Sequence, residues 1–213
     1  MAVPPALLGA AWPTAPAVVL RVRLDPDGGL ALEAWIRPAT DAPLVTPGEG
    51  RDVLPVMRDG QRGHVRRALA EEEVRVAQAI AALPVPIEVD DSGARWRYRV
   101  TDGDDALALA AELDALPAGV TAEWVARRPT VRRNVTAAAM TLTVSEQRDW
   151  LDVEGMLTVD DEEVDLAALI EAARAQRRFV QVGPDRWLEL ADALRAQLAR
   201  LAAHQTKVRG RLV

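Results

Sequence analysis

An α+β fold, with short antiparallel hairpins alternating with helices in two packed subdomains, is predicted by three features of the sequence. Several runs alternate apolar and polar side chains in pairs separated by turn residues. Between these pairs lie stretches whose apolar residues recur every three or four positions, the period of a helix face. The chain of 213 residues is 49% apolar and 27% charged, a composition that can bury a core. No internal repeat of fixed period is present.

The first subdomain is expected over residues 1–86. Residues 18–24 alternate, Asp25-Pro26-Asp27-Gly28-Gly29 turns, and residues 30–36 return as a second strand. Residues 38–62 are rich in Pro, Gly and Asp and read as a long surface loop. A helix is expected over 64–82, with Val65, Leu69, Val76 and Ile80 on one face and Pro84 and Pro86 stopping it.

The second subdomain is expected over residues 87–213. It opens with a hairpin that runs from 87–90 through Asp91-Ser92-Gly93 into 95–100, followed by a helix near 104–116. Short strands near 120–125 and 138–144 flank a basic connection. Residues 150–159 read as a strand, Asp160 to Glu163 as an acidic turn, and Asp165 as the N-cap of a helix carrying Leu166, Leu169 and Ile170. A last hairpin pairs 179–182 with 187–190 about Gly183-Pro184-Asp185, and a closing helix carries Leu194, Leu198 and Leu201.

Composition narrows the chemistry. With no cysteine, disulfides, thiolate metal sites and thiol nucleophiles are all excluded. No apolar run reaches the roughly 18 residues that span a bilayer, and the proline-bearing start lacks a basic n-region, so no membrane partner and a cytoplasmic setting are expected. Net charge is −6 but comes in blocks. Eight acids face three arginines over 87–116, whereas five basic residues face two acids over 188–213. All but one of the 26 basic residues are arginine.

The lone lysine, Lys207, follows no glycine-rich loop, and no Asp-Glu-x-His segment follows an apolar strand. A P-loop needs glycines so that backbone N–H groups can cradle phosphates, then Gly-Lys-Ser/Thr to reach the terminal phosphates and Mg²⁺. No catalytic residue, bound cofactor or metal is therefore expected in this chain. His64 and His204 read as solvated helix-end residues. Asp102-Gly103-Asp104-Asp105 fails as a calcium loop because its alternate-residue ligands stop at Ala106; negative charge at a helix N-terminus explains it. Asp160-Asp161-Glu162-Glu163 reads as a solvated hairpin tip.

Contact with nucleic acid could come from three basic groups. Arg95, Arg97 and Arg99 share one strand face opposite Trp96 and Tyr98, and cross-strand pairing with Glu88 and Asp90 is the preferred reading. Arg127, Arg128, Arg132 and Arg133 lie in the connection, where functional contacts concentrate. Lys207, Arg209 and Arg211 form a basic tail. The two groups after residue 126 are the candidate nucleic-acid-binding residues. Trp150 and Trp187 are expected in the core.

The order Asp149-Trp150-Leu151-Asp152-Val153-Glu154-Gly155, an acidic turn, Val164-Asp165-Leu166-Ala167-Ala168-Leu169-Ile170, Arg178-Phe179-Val180-Gln181-Val182-Gly183, and Trp187-Leu188-Glu189-Leu190 before a Leu/Arg-rich helix resembles a known region. It is similar to the helicase-associated region N-terminal to the motor of bacterial Swi/Snf-type (DEAD/DEAH-like) ATPases. The likeness covers about residues 140–203, with Leu151 replacing an aromatic, and extends more loosely to Arg66-Arg67-Ala68-Leu69-Ala70-Glu71-Glu72-Glu73. It implies an ATPase motor C-terminal in cis, to which ATP and Mg²⁺ would belong, acting on double-stranded DNA or RNA. The closing residues 208–213 read as a strand cut mid-course, so the chain is expected to be a fragment. Three functions follow: a non-catalytic accessory module of such a motor; a free-standing protein-binding domain that works by strand addition; and an enzyme using a carboxylate pair such as Asp152 and Glu154.

Overall fold

The computed structural model describes residues 9–26, 28–139, 141–144, 155–159 and 162–209. Its helices and small sheets form the expected α+β fold, arranged as two compact units, residues 1–128 and 129–213.

The first unit is built on β2 (Ala17–Leu24) and β3 (Leu30–Arg37), which follow a short strand β1 (Ala10–Ala11). They form the predicted hairpin, with Ala17 opposite Arg37 and Leu24 opposite Leu30. Their inward residues Leu20, Val22, Leu30 and Ile36 are fully buried, as period-2 alternation requires. Gly28 closes the turn at φ 90°, a left-handed conformation that costs a glycine nothing.

Residues 38–62 are not the loop read from their composition. They contain β4 (Val53–Arg58) and most of β5 (Gln61–Arg66), an antiparallel pair joined by Asp59-Gly60. Both turn residues have positive φ, 49° and 75°, as a two-residue type I′ hairpin demands. Pro55 is tolerated because β4 is the end strand of the order β1-β5-β4. Gly63 is required, since a Cβ there would lie 2.7 Å from the Ala10 carbonyl oxygen and 2.7 Å from the Trp12 ring. Since β5 runs to Arg66, α1 begins late, at Leu69–Ala81, and half-buried His64 lies in a strand rather than at a helix end.

The hairpin β6 (Glu88–Val89) and β7 (Arg97–Val100) adds to β3, and α2 (Gly103–Glu112) then leads to β8 (Val120–Trp124), which pairs parallel with β2. The resulting sheet has the order β6-β7-β3-β2-β8. Residues 87–128 therefore belong with residues 1–86, and the compact units divide after Arg128 rather than at the 86/87 boundary read from the prolines. Prolines mark where α1 stops; they cannot reveal that the next hairpin pairs with β3. Val76 and Ala79 of α1 and Ala106 and Leu109 of α2 complete one core cluster with the sheet. Asp102 caps α2 by accepting from the Asp105 amide at 2.9 Å, the role expected of that acidic run.

A buried arginine ties this unit together. Arg67 spends all five N–H donors: two on Glu72 (2.8 and 2.6 Å), two on the carbonyls of Glu49 and Arg51, and one on that of Thr46. Glu72 also accepts from the Gly48 amide. Both side chains are almost wholly buried, so the pair fastens residues 46–51 to the start of α1.

The second unit contains β9 (Thr130–Val135), β10 (Thr141–Val144), β11 (Gly155–Val159), β12 (Glu162–Asp165), α3 (Leu166–Arg174), β13 (Phe179–Gly183), β14 (Arg186–Leu190) and α4 (Asp192–Arg209). Strands β10, β11 and β12 form an antiparallel meander, and a second sheet has the order β13-β14-β9 with β9 parallel to β14. Asp165 caps α3 through the Ala167 amide, as predicted. Leu169, Ile170, Leu188, Leu190, Leu194 and Leu198 pack into one core. Of the expected strand at 150–159, the part from Trp150 to Glu154 lies outside the described residues, as do Asp160 and Asp161 of the acidic turn. No helix among the described residues is long and apolar enough to cross a membrane.

Candidate nucleic-acid interface

The predicted basic run is not a plain connection. Arg127 and Arg128 end the first unit, exposed beyond β8, while Arg132 and Arg133 lie on β9 of the second unit, also exposed. Strand β9 pairs with β14 through Thr130, Val131, Arg132 and Val135 despite its charge, and Val135 joins the buried core. Arg128 grips Asp114 with both terminal nitrogens, at 2.9 and 2.6 Å. That hydrogen-bonded pairing holds the Asp114 carboxyl below the usual carboxylate range and pushes the Arg128 guanidinium up. Lys207 and Arg209 fall in the last turn of α4, and Arg211 lies outside the described residues.

The arginines near β7 are held by the protein itself. Arg95 binds Glu73 through two hydrogen bonds of 3.0 and 2.8 Å, Arg97 binds Glu33 at 3.1 Å, and Arg99 lies 3.4 Å from Asp25. The expected cross-strand placement is present, with Glu88 opposite Arg99 and the charges of Arg97 and Arg99 acting on Asp90. Further carboxylate partners come from α1, β3 and the first turn, because β7 is flanked by β3 as well as β6. Trp96 and Tyr98 pack against the core, and the Trp96 indole donates to the Pro47 carbonyl at 3.0 Å.

Arg178, which opens a strand segment of the resemblance, and Arg195 are functional candidates that the basic runs of the sequence do not include. The register of β9 and β14 slips so that Leu188 faces Arg132 while Leu190 faces Val135. Arg133 and Asn134 thus stand opposite the single residue Glu189, a β-bulge, and Asn134 takes the left-handed φ of 55° that Asn tolerates. The bulge brings the Arg133 Nε to 3.4 Å from one oxygen of Glu189. Arg178, just before β13, donates to the other oxygen from Nε at 2.8 Å and from a terminal nitrogen. Glu189 is itself buried, 8% exposed, so its charge must be matched by these guanidinium groups. Beside them, Arg195 on α4 donates to Asp192.

Asn134, Arg178, Glu189, Asp192 and Arg195 line an open, strongly polar concavity of about 480 Å³. Its basic residues lie some 45 and 60 positions from Arg133 in the chain, so no spacing rule could have joined them. Among the described residues, no group of three metal-ligating side chains is present. No family model, curated protein or solved structure matches this chain.

Proposed function

We propose that this chain is a non-catalytic accessory module of a bacterial Swi/Snf-type ATP-dependent motor, which it serves by holding the phosphate backbone of double-stranded nucleic acid. The observation that carries the reading is the meeting of Arg178 and Arg195, 17 positions apart, at one open concavity of the second unit, with Arg133 paired to the Glu189 carboxylate that Arg178 also holds. Guanidinium groups recognise phosphate through paired N–H donors, and such contacts position a protein on a duplex without reading its sequence. The setting is supplied by the sequence resemblance over residues 140–203. ATP hydrolysis in this reading belongs to a motor C-terminal to the chain.

The test is the affinity of the full chain for duplex DNA across about 50 to 200 mM salt, where phosphate contacts release counterions. Affinity should fall linearly on logarithmic axes. A flat line, or no binding at the lowest salt, sinks the proposal.

A second reading, protein binding by strand addition, is favoured by the ends of the first sheet. Strand β8 ends the order on one side with Val125 exposed beside it, and β6 ends the other with Val89 exposed. In that case the duplex is ignored at every salt concentration.

A further inference from the structure

The concavity of the second unit already holds an anion of the protein's own making. The Asp192 side chain is 92% exposed, yet it is fixed by Arg195 across a single turn. Its carboxyl is held below the usual carboxylate range by the hydrogen bond from Arg195 first, then by the charges of Arg195 and of Arg178. Asp192 therefore sits where two guanidinium fields overlap. Glu189 differs: it is buried beneath the arginines and belongs to their scaffold.

Two further features favour an anion there. Arg195 lines the concavity and turns a terminal nitrogen to Asp192, the donor that a displaced carboxylate would release to a ligand. Ala191, the residue before the 18-residue helix α4, offers no side-chain acceptor, so the positive end of that helix opens on the same concavity. Two guanidinium groups, Arg178 and Arg195, line the concavity with two carboxylates, and a net positive charge appears there when Asp192 swings away. That swing breaks only an exposed pair, which contributes little to stability.

We infer that this concavity is a phosphate-binding site for which the Asp192 carboxylate is an intramolecular stand-in, displaced when a phosphate group enters between Arg178 and Arg195. The inference rests on the proposed contact with nucleic acid for the source of that phosphate, but the site is defined by phosphate chemistry alone. Asp192 lowers the apparent affinity by competing with the ligand, as any internal competitor must.

Titration calorimetry of the full chain with inorganic phosphate, and anisotropy with duplex DNA, test it together. Asp192→Asn should tighten phosphate binding about fivefold and Arg195→Gln should weaken it by a similar factor, the range of one charge-assisted contact. Glu171→Gln makes the same charge change on an exposed position of α3 and should alter nothing. Thermal unfolding of each variant separates loss of the site from loss of the fold. Equal affinities for wild type, Asp192→Asn and Arg195→Gln, or no phosphate binding even by Asp192→Asn, overturn the inference. Duplex binding that keeps its salt slope but ignores both substitutions removes the site and leaves the accessory-module reading standing. Phosphate binding that Asp192→Asn tightens, without any duplex binding, keeps the site and removes that reading.

Discussion

Arginine serves opposite ends in the two units. In the first, Arg67 is buried with every donor spent, and Arg95, Arg97 and Arg99 are each matched to a carboxylate. In the second, Arg133 and Arg178 share one buried carboxylate between them. Asp192, the carboxylate that Arg195 holds, is itself almost wholly exposed. The contrast teaches that charge count says little about binding; what matters is whether the donors are already used and whether the matching acid can leave. Glu72 cannot leave, because three N–H donors hold it in a dry setting. Asp192 can.

The largest effect that would sharpen this comparison comes from Glu72→Ala. It strands a buried guanidinium and frees residues 46–51, so denaturant unfolding should show a loss of about 3–5 kcal/mol. A loss near zero would mean that the first unit does not depend on its clamp and would break the contrast. Glu189→Gln is the matching experiment in the second unit. Arg178 and Arg133 reach solvent once their carboxylate is weakened, so the loss should be smaller, about 2 kcal/mol. Equal losses at both sites would erase the distinction between a saturated and an open cluster.

The smallest effect is expected at the exposed pair of Arg128 and Asp114. Arg128→Gln should change the melting temperature slightly, and the change should depend on pH in a fixed direction. Asp114 has a depressed carboxyl in the folded state, so its contribution is present above the unfolded value and is lost as pH falls through the folded one. Melting curves of wild type and variant should therefore differ at neutral pH and converge in acid. Divergence in acid would contradict the assigned pairing.

Much of the fold was legible locally. The β2–β3 hairpin, the caps Asp102 and Asp165, and the β13–β14 hairpin follow from alternation, turn residues and short-range hydrogen bonds. The β4–β5 hairpin was missed although Asp59-Gly60 is a strong type I′ signal, because Pro55 and the polar residues 58–62 masked the flanking alternation. For the candidate site, Arg127, Arg128, Arg132 and Arg133 were visible as a basic run, but the division between them and the partners of each were not. Arg195 carries no local mark at all, and Arg178 is marked only as the first residue of a segment in the resemblance.

By itself the sequence determined the hairpins, the helix faces and the caps, since each depends on residues within a few positions of one another. It also determined that cysteine chemistry and a P-loop are absent from this chain. Only the tertiary structure decided that β7 joins β3, that β8 and β9 run parallel to their partners, and that a one-residue bulge aims Arg133 at Glu189. Those outcomes depend on pairing between segments far apart in the chain, where the gain from burying apolar faces selects the partner. The meeting of Arg133 and Arg178 on Glu189 is a consequence of that pairing, which is why no reading of charge along the chain could place them together.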